Sequence, residues 1–92
     1  MDVYLAWEAF DKAVRSAQEA YWRALEPTQE TYVGAMKIAW RSNDVTTPMG
    51  WECFKKAIKP ERAKHRKATL SAWETYQSAV RAASEAYDLA MR

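Results

Sequence analysis

The stretch AWEAFDKAVRSAQEAYWRAL (Ala6–Leu25) returns near the end of the chain as AWETYQSAVRAASEAYDLAM (Ala72–Met91), with eleven of twenty positions identical. Each copy has a finer period inside it. Counted in steps of eleven from Trp7, the chain falls into columns. One column is alanine at Ala13, Ala24, Ala35, Ala57, Ala68, Ala79 and Ala90. A second is aromatic or His at Phe10, Tyr21, Tyr32, Phe54, His65, Tyr76 and Tyr87, and a third is glutamate at Glu8, Glu19, Glu30, Glu52, Glu74 and Glu85. Eleven residues make three turns of a slightly relaxed α-helix, so each column is a stripe along one helix face.

All three columns fail together only in SNDVTTPMG, Ser42 to Gly50, which is rich in cap and turn formers and holds Pro48 and Gly50. That segment reads as the one turn. The expected architecture is all-α: an antiparallel helical hairpin or small helical bundle forming a single domain over 1–92. Arm one runs from about 2 to 41, the turn from 42 to 50 and arm two from about 51 to 91. Asp2 supplies an acceptor and a negative charge for the first helix start. Pro27 and Pro60 lie in matching columns, ALEP against AIKP, and each is expected to kink or break its helix, because an internal proline removes a donor and clashes with a carbonyl. Folding the chain about residue 46 would set Pro27 opposite residue 65 and Pro60 opposite residue 32.

On a helical wheel four columns become neighbours. They are the alanine column, the Ala17/Ala39/Ala72/Ala83 column, the aromatic column and the Val14/Leu25/Met36/Ile58/Val80/Met91 column. They span an arc of about 100°, the width of a core-facing stripe. The expected core therefore has an alanine flank and a large apolar flank. The glutamate column marks the solvated face, with Glu8–Lys12, Glu19–Arg23 and Glu52–Lys56 spaced for ion pairs worth about 0.2–0.5 kcal/mol each. The eleven-residue period resembles that of hendecad coiled coils and of the amphipathic repeats of apolipoprotein-like chains. The turn reads Pro48-Met49-Gly50-Trp51, so the Trp-x-Gly order of WXG-type secreted hairpins is absent.

At 92 residues the chain has room for one modest core, and self-association is a ready way to complete it. The net charge of +2 conceals an uneven distribution. Lys55, Lys56, Lys59, Arg62, Lys64, Arg66 and Lys67 stand against Glu61 alone within thirteen residues. Lys55, Lys59, Arg62 and Arg66 follow a 4-3-4 spacing that makes one cationic stripe on a helix. Such a stripe suits an acidic protein partner, or the phosphates of a nucleic acid without base readout. Trp7, Trp40, Trp51 and Trp73 share a column at the edge of the apolar arc and Trp22 lies just beyond it. They either lid the seam or meet a partner, since tryptophan is enriched at interface hot spots.

No catalytic, cofactor or metal constellation is visible. His65 is the only histidine and Cys53 the only cysteine. His65 reads as a core or boundary imidazole hydrogen-bonded nearby, and Cys53 as a packed thiol. A lone cysteine fits a reducing, cytoplasmic compartment. No apolar run is long enough to span a bilayer, and the start lacks a basic leader. The expected function is a non-enzymatic helical protein–protein interaction module, such as an adaptor, inhibitor or assembly protein, that self-associates. One alternative is a nucleic-acid-binding accessory protein using the stripe at 55–67. A second is an amphipathic membrane-surface binder, disfavoured by the glutamates across its polar face.

Overall fold

In a computed structural model describing residues 2–92, two long helices account for nearly the whole chain. Helix α1 covers Val3–Ser42 and α2 covers Pro48–Ala90, joined by residues 43–47. They form the two arms of a hairpin. Neither Pro27 nor Pro60 ends its helix. The carbonyls that the prolines leave without a helical donor belong to Arg23 and Lys56, both on exposed residues where water can take the donor's place.

Side-chain caps fix the ends. The Tyr4 amide donates to Asp2 Oδ1 at 2.9 Å, the N-cap that the sequence led us to expect. The turn is shorter than 42–50, and α2 begins at Pro48. Thr47 caps it: its Oγ1 accepts from the Gly50 amide at 3.0 Å. Pro48 thereby occupies the first helical position, where its missing amide proton costs nothing. At the other side of the turn Asn43 Nδ2 donates to the Ala39 carbonyl at 2.9 Å, taking one of the free acceptors at the end of α1. Gly50 is needed for close approach, since a Cβ there would overlap the Asp44 carbonyl.

Packing divides the chain into two compact units: residues up to Ala24 with Ser71–Arg92, and Leu25–Leu70. In the first, Phe10 meets Tyr87 at 5.7 Å between ring centroids and Tyr21 meets Tyr76 at 5.6 Å. In the second, Tyr32 stacks on His65 at 4.8 Å. Each rung moves eleven residues forward in α1 and eleven back in α2, so the aromatic column pairs with itself. This register corrects the fold about residue 46. It sets Pro27 level with Leu70 and Pro60 level with Lys37.

The seam is narrower than the four-column arc. The columns of Ala6, Phe10 and Val14 supply the buried residues Ala6, Ala39, Phe54, Ile58 and Ala83. In the Leu25–Leu70 unit, Ala39, Phe54 and Ile58 form one cluster, against which Val45 of the turn packs. The alanine column, contrary to expectation, is not core. Ala13, Ala24, Ala57 and Ala79 are exposed, and Ala35, Ala68 and Ala90 are only half-buried. The reason is angular: the seam centres on the aromatic rungs, and the alanine column lies about 65° away. Among the described residues only two large side chains, Phe54 and Ile58, are buried, and neither is completely shielded from water.

The glutamate column faces solvent throughout, as expected. None of the three anticipated ion pairs forms. Arg15 pairs with Asp11 at 3.0 Å, Lys55 with Glu52 at 2.9 Å and Lys64 with Glu61 at 3.6 Å. On exposed helix surface each is worth about 0–1 kcal/mol. No helix is long and apolar enough to cross a membrane among the described residues.

Candidate interaction surfaces

The tryptophan edge is open. Trp7, Trp22, Trp40, Trp51 and Trp73 are between 42% and 64% exposed. Several use one side of the ring to cover the seam. Trp51 stacks on Phe54 at 5.6 Å and Trp40 meets the same ring edge-on at 5.6 Å. Trp73 contacts Tyr21 and Tyr76 at 5.8 and 5.4 Å. The lid expectation therefore holds for these three in part, while large apolar area still faces water.

In each unit the edges of both arms come to the same side. Trp40 of α1 and Trp51 of α2 converge on Phe54. In the other unit Trp7 and Phe10 line a shallow cleft of about 240 Å³ together with Ser84, Tyr87 and Asp88. Ser84 occupies the tryptophan column of α2, so the cleft joins like columns. This follows from antiparallel symmetry: a two-fold axis normal to the plane of the helix pair keeps like flanks on one side.

The basic stripe lies in the Leu25–Leu70 unit. Lys55, Lys56, Lys59, Arg62, Lys64, Arg66 and Lys67 are all exposed. Lys55 Nζ lies 5.8 Å from the Trp51 ring centroid, and Arg62 Nε donates to the Tyr32 hydroxyl at 3.4 Å. Among the described residues Lys56, Lys59, Arg66 and Lys67 form no ion pair. This unit carries nine Lys and Arg against five Asp and Glu, while the other carries five against seven. Charge is thus segregated between units, more broadly than the 55–67 run alone suggests.

A third surface runs along the outer flank of α1. Two grooves adjoin there and share Val33 and Lys37. The first, about 520 Å³, is lined by Glu26, Gln29, Glu30 and Gly34 besides those two. The second, about 440 Å³, adds Met36, Trp40, Arg41 and Phe54. Nothing lies within 4 Å of where a Gly34 Cβ would stand, so this glycine leaves an open notch. This surface is not among those expected from the sequence. Its signal was present in the spacing: Glu26 and Glu30, then Lys37 and Arg41 eleven residues later.

Two smaller expectations fail. Cys53 is exposed rather than packed, because its column falls outside the narrowed seam. His65 is half-buried against Tyr32, yet its Nδ1 is buried without a hydrogen-bond partner. The Asp44 carboxyl lies below the ordinary aspartate range, held there by hydrogen bonds from the Thr46 hydroxyl and then the Thr46 amide.

No protein-family model, curated protein or solved structure matches this chain.

Proposed function

We propose that the chain is a non-enzymatic helical interaction module that works by presenting helix faces and associates with itself. The observation that carries this reading is the exposed tryptophan edge, brought to one side by both arms of each unit. Surface area supports it. The chain exposes 7305 Å², whereas a compact monomer of 10.6 kDa exposes about 5,500 Å². A standard interface hides about 800 Å² of each partner, well within that excess. Half-exposed tryptophans are also the side chains whose burial contributes most at hot spots.

Sedimentation equilibrium from low to high micromolar concentration, with tryptophan emission followed in parallel, tests the reading. Rising mass with a blue shift is the expected result. A monomer mass and unchanged emission throughout would remove self-association. Photo-crosslinking from positions 7 and 73 in the producing cell then tests for other protein partners, and the absence of any adduct would remove the module reading itself.

The exposed and largely unpaired cations of 55–67 favour a second reading, polyanion binding without base readout. In a titration with duplex and single-stranded DNA and RNA, log affinity would fall linearly with log salt, by about 0.9 per duplex phosphate neutralised. No binding at low salt ends this alternative.

A further inference from the structure

Four charged residues on α1 stand as two like-charge pairs without an ion-pair partner in their own chain, among the described residues. Glu26 and Glu30 are like charges one helical turn apart, and so are Lys37 and Arg41. Like charges at this spacing destabilise an isolated helix. All four are exposed, and among the described residues none of them forms an ion pair. Between the two pairs stand Val33 and Gly34. A glycine inside a helix weakens it, and nothing in the surrounding fold requires this one.

These features become complementary when the face meets itself. An identical helix laid antiparallel, with a two-fold axis between Val33 and Gly34, brings Glu26 opposite Arg41 and Glu30 opposite Lys37. The symmetry repeats both pairs on the other side of the axis, as an isologous contact must. At the axis Val33 of each copy faces the Gly34 notch of the other, where the missing side chain lets the two backbones approach. The adjoining grooves supply the apolar floor beside it, at Met36 and Trp40.

We propose that a second copy of this chain docks antiparallel on the outer flank of α1, centred on Val33 and Gly34 and registered by Glu26–Arg41 and Glu30–Lys37 ion pairs. This rests on the self-association part of the proposed function and specifies its interface. Trp40 lies beside this contact and its burial accounts for the blue shift on self-association, while Trp7 and Trp73 of the other unit stay available to other proteins.

The test uses the full chain in four forms: wild type, E26K/E30K, K37E/R41E and the quadruple reversal E26K/E30K/K37E/R41E. Circular dichroism first establishes that each is helical, as exposed positions lead us to expect. Native mass spectrometry and sedimentation equilibrium then read the assembly. Wild type is a dimer. Each half-reversed variant alone dissociates at least about a hundredfold more readily, because like charges now face each other. Mixed in equal amounts, the all-basic and all-acidic variants form a one-to-one heterodimer, and the quadruple reversal restores the homodimer. Gly34→Leu keeps its helix content and loses the dimer. A wild type that stays monomeric at high micromolar concentration overturns the proposal and leaves this face to a partner of different sequence. Half-reversed variants that dimerise as well as wild type, or a mixture that forms no heterodimer, also overturn it. In those two cases copies meet through another face, and the interaction-module reading survives.

Discussion

Tyr32 and His65 stack across the hairpin with ring centroids 4.8 Å apart and planes 14° from parallel. His65 occupies a rung that Tyr76 and Tyr87 fill elsewhere on α2. The imidazole completes the packing but brings a buried nitrogen that no group satisfies. A buried polar atom without a partner costs about 1–3 kcal/mol.

His65→Tyr is therefore expected to stabilise the fold by roughly 1 kcal/mol, since it restores the column's residue and removes the orphaned nitrogen. Thermal unfolding followed by circular dichroism measures this. A lower midpoint than wild type would count against an unsatisfied Nδ1.

The narrowed seam separates two alanines one turn apart on α2. Ala83 is buried and Ala79 exposed. Ala83→Leu should overpack the seam and cost about 1–3 kcal/mol. Ala79→Leu should stay within about 0.5 kcal/mol of wild type. Ile58→Ala, in the buried cluster with Ala39 and Phe54, should cost about 2–5 kcal/mol. Urea titration ranks all three; equal losses at positions 79 and 83 would return the alanine column to the core.

Gly50→Ala is expected to destabilise the chain by about 1–3 kcal/mol, because its Cβ has to displace the Asp44 carbonyl inside the cap. Denaturant unfolding measures the loss. A neutral result would mean that the turn relaxes freely.

Asp44 provides a pH dependence with a definite sign. Hydrogen bonds from Thr46 lower its carboxyl in the folded state. Its contribution is thus present above the unfolded value and lost as pH falls through the folded one. Carboxyl titration by NMR should place its midpoint below that of an unstructured aspartate, and Thr46→Ala should move it upward. An unchanged midpoint in that variant would dismiss the hydroxyl as the main cause.

The two helices were legible in the sequence, as was the aromatic column along which they meet, but not their register. The column of Phe10 and Tyr87 pairs with itself, which the fold about residue 46 does not give. The aromatic spacing therefore carries tertiary as well as local information. The width of the seam was not legible. A wheel built from one helix treats the alanines of Ala13 and Ala79 as core because they are apolar and adjacent. Only the partner helix decides that the contact centres on the rungs. Pro48 reads as part of the turn for a related reason: proline marks helix starts and breaks alike, and the Thr47 hydroxyl distinguishes the two. The tryptophans and the 55–67 cations stand out in the sequence, and the structure leaves them exposed. The flank of Glu26 to Arg41 went unseen because its complementarity exists only between copies.

The self-pairing rungs carry a built-in ambiguity. If one arm slid past the other by a full eleven residues, aromatic residues would again meet aromatic residues: Tyr21 would face His65, and Tyr32 would face Phe54. The rungs alone therefore allow a ladder of near-equivalent alignments. Asn43, Asp44, Thr47 and Gly50, bonded into a connector with no slack, select one step of that ladder. In this hairpin the packing determines what pairs with what, and a few capping atoms at one end keep count.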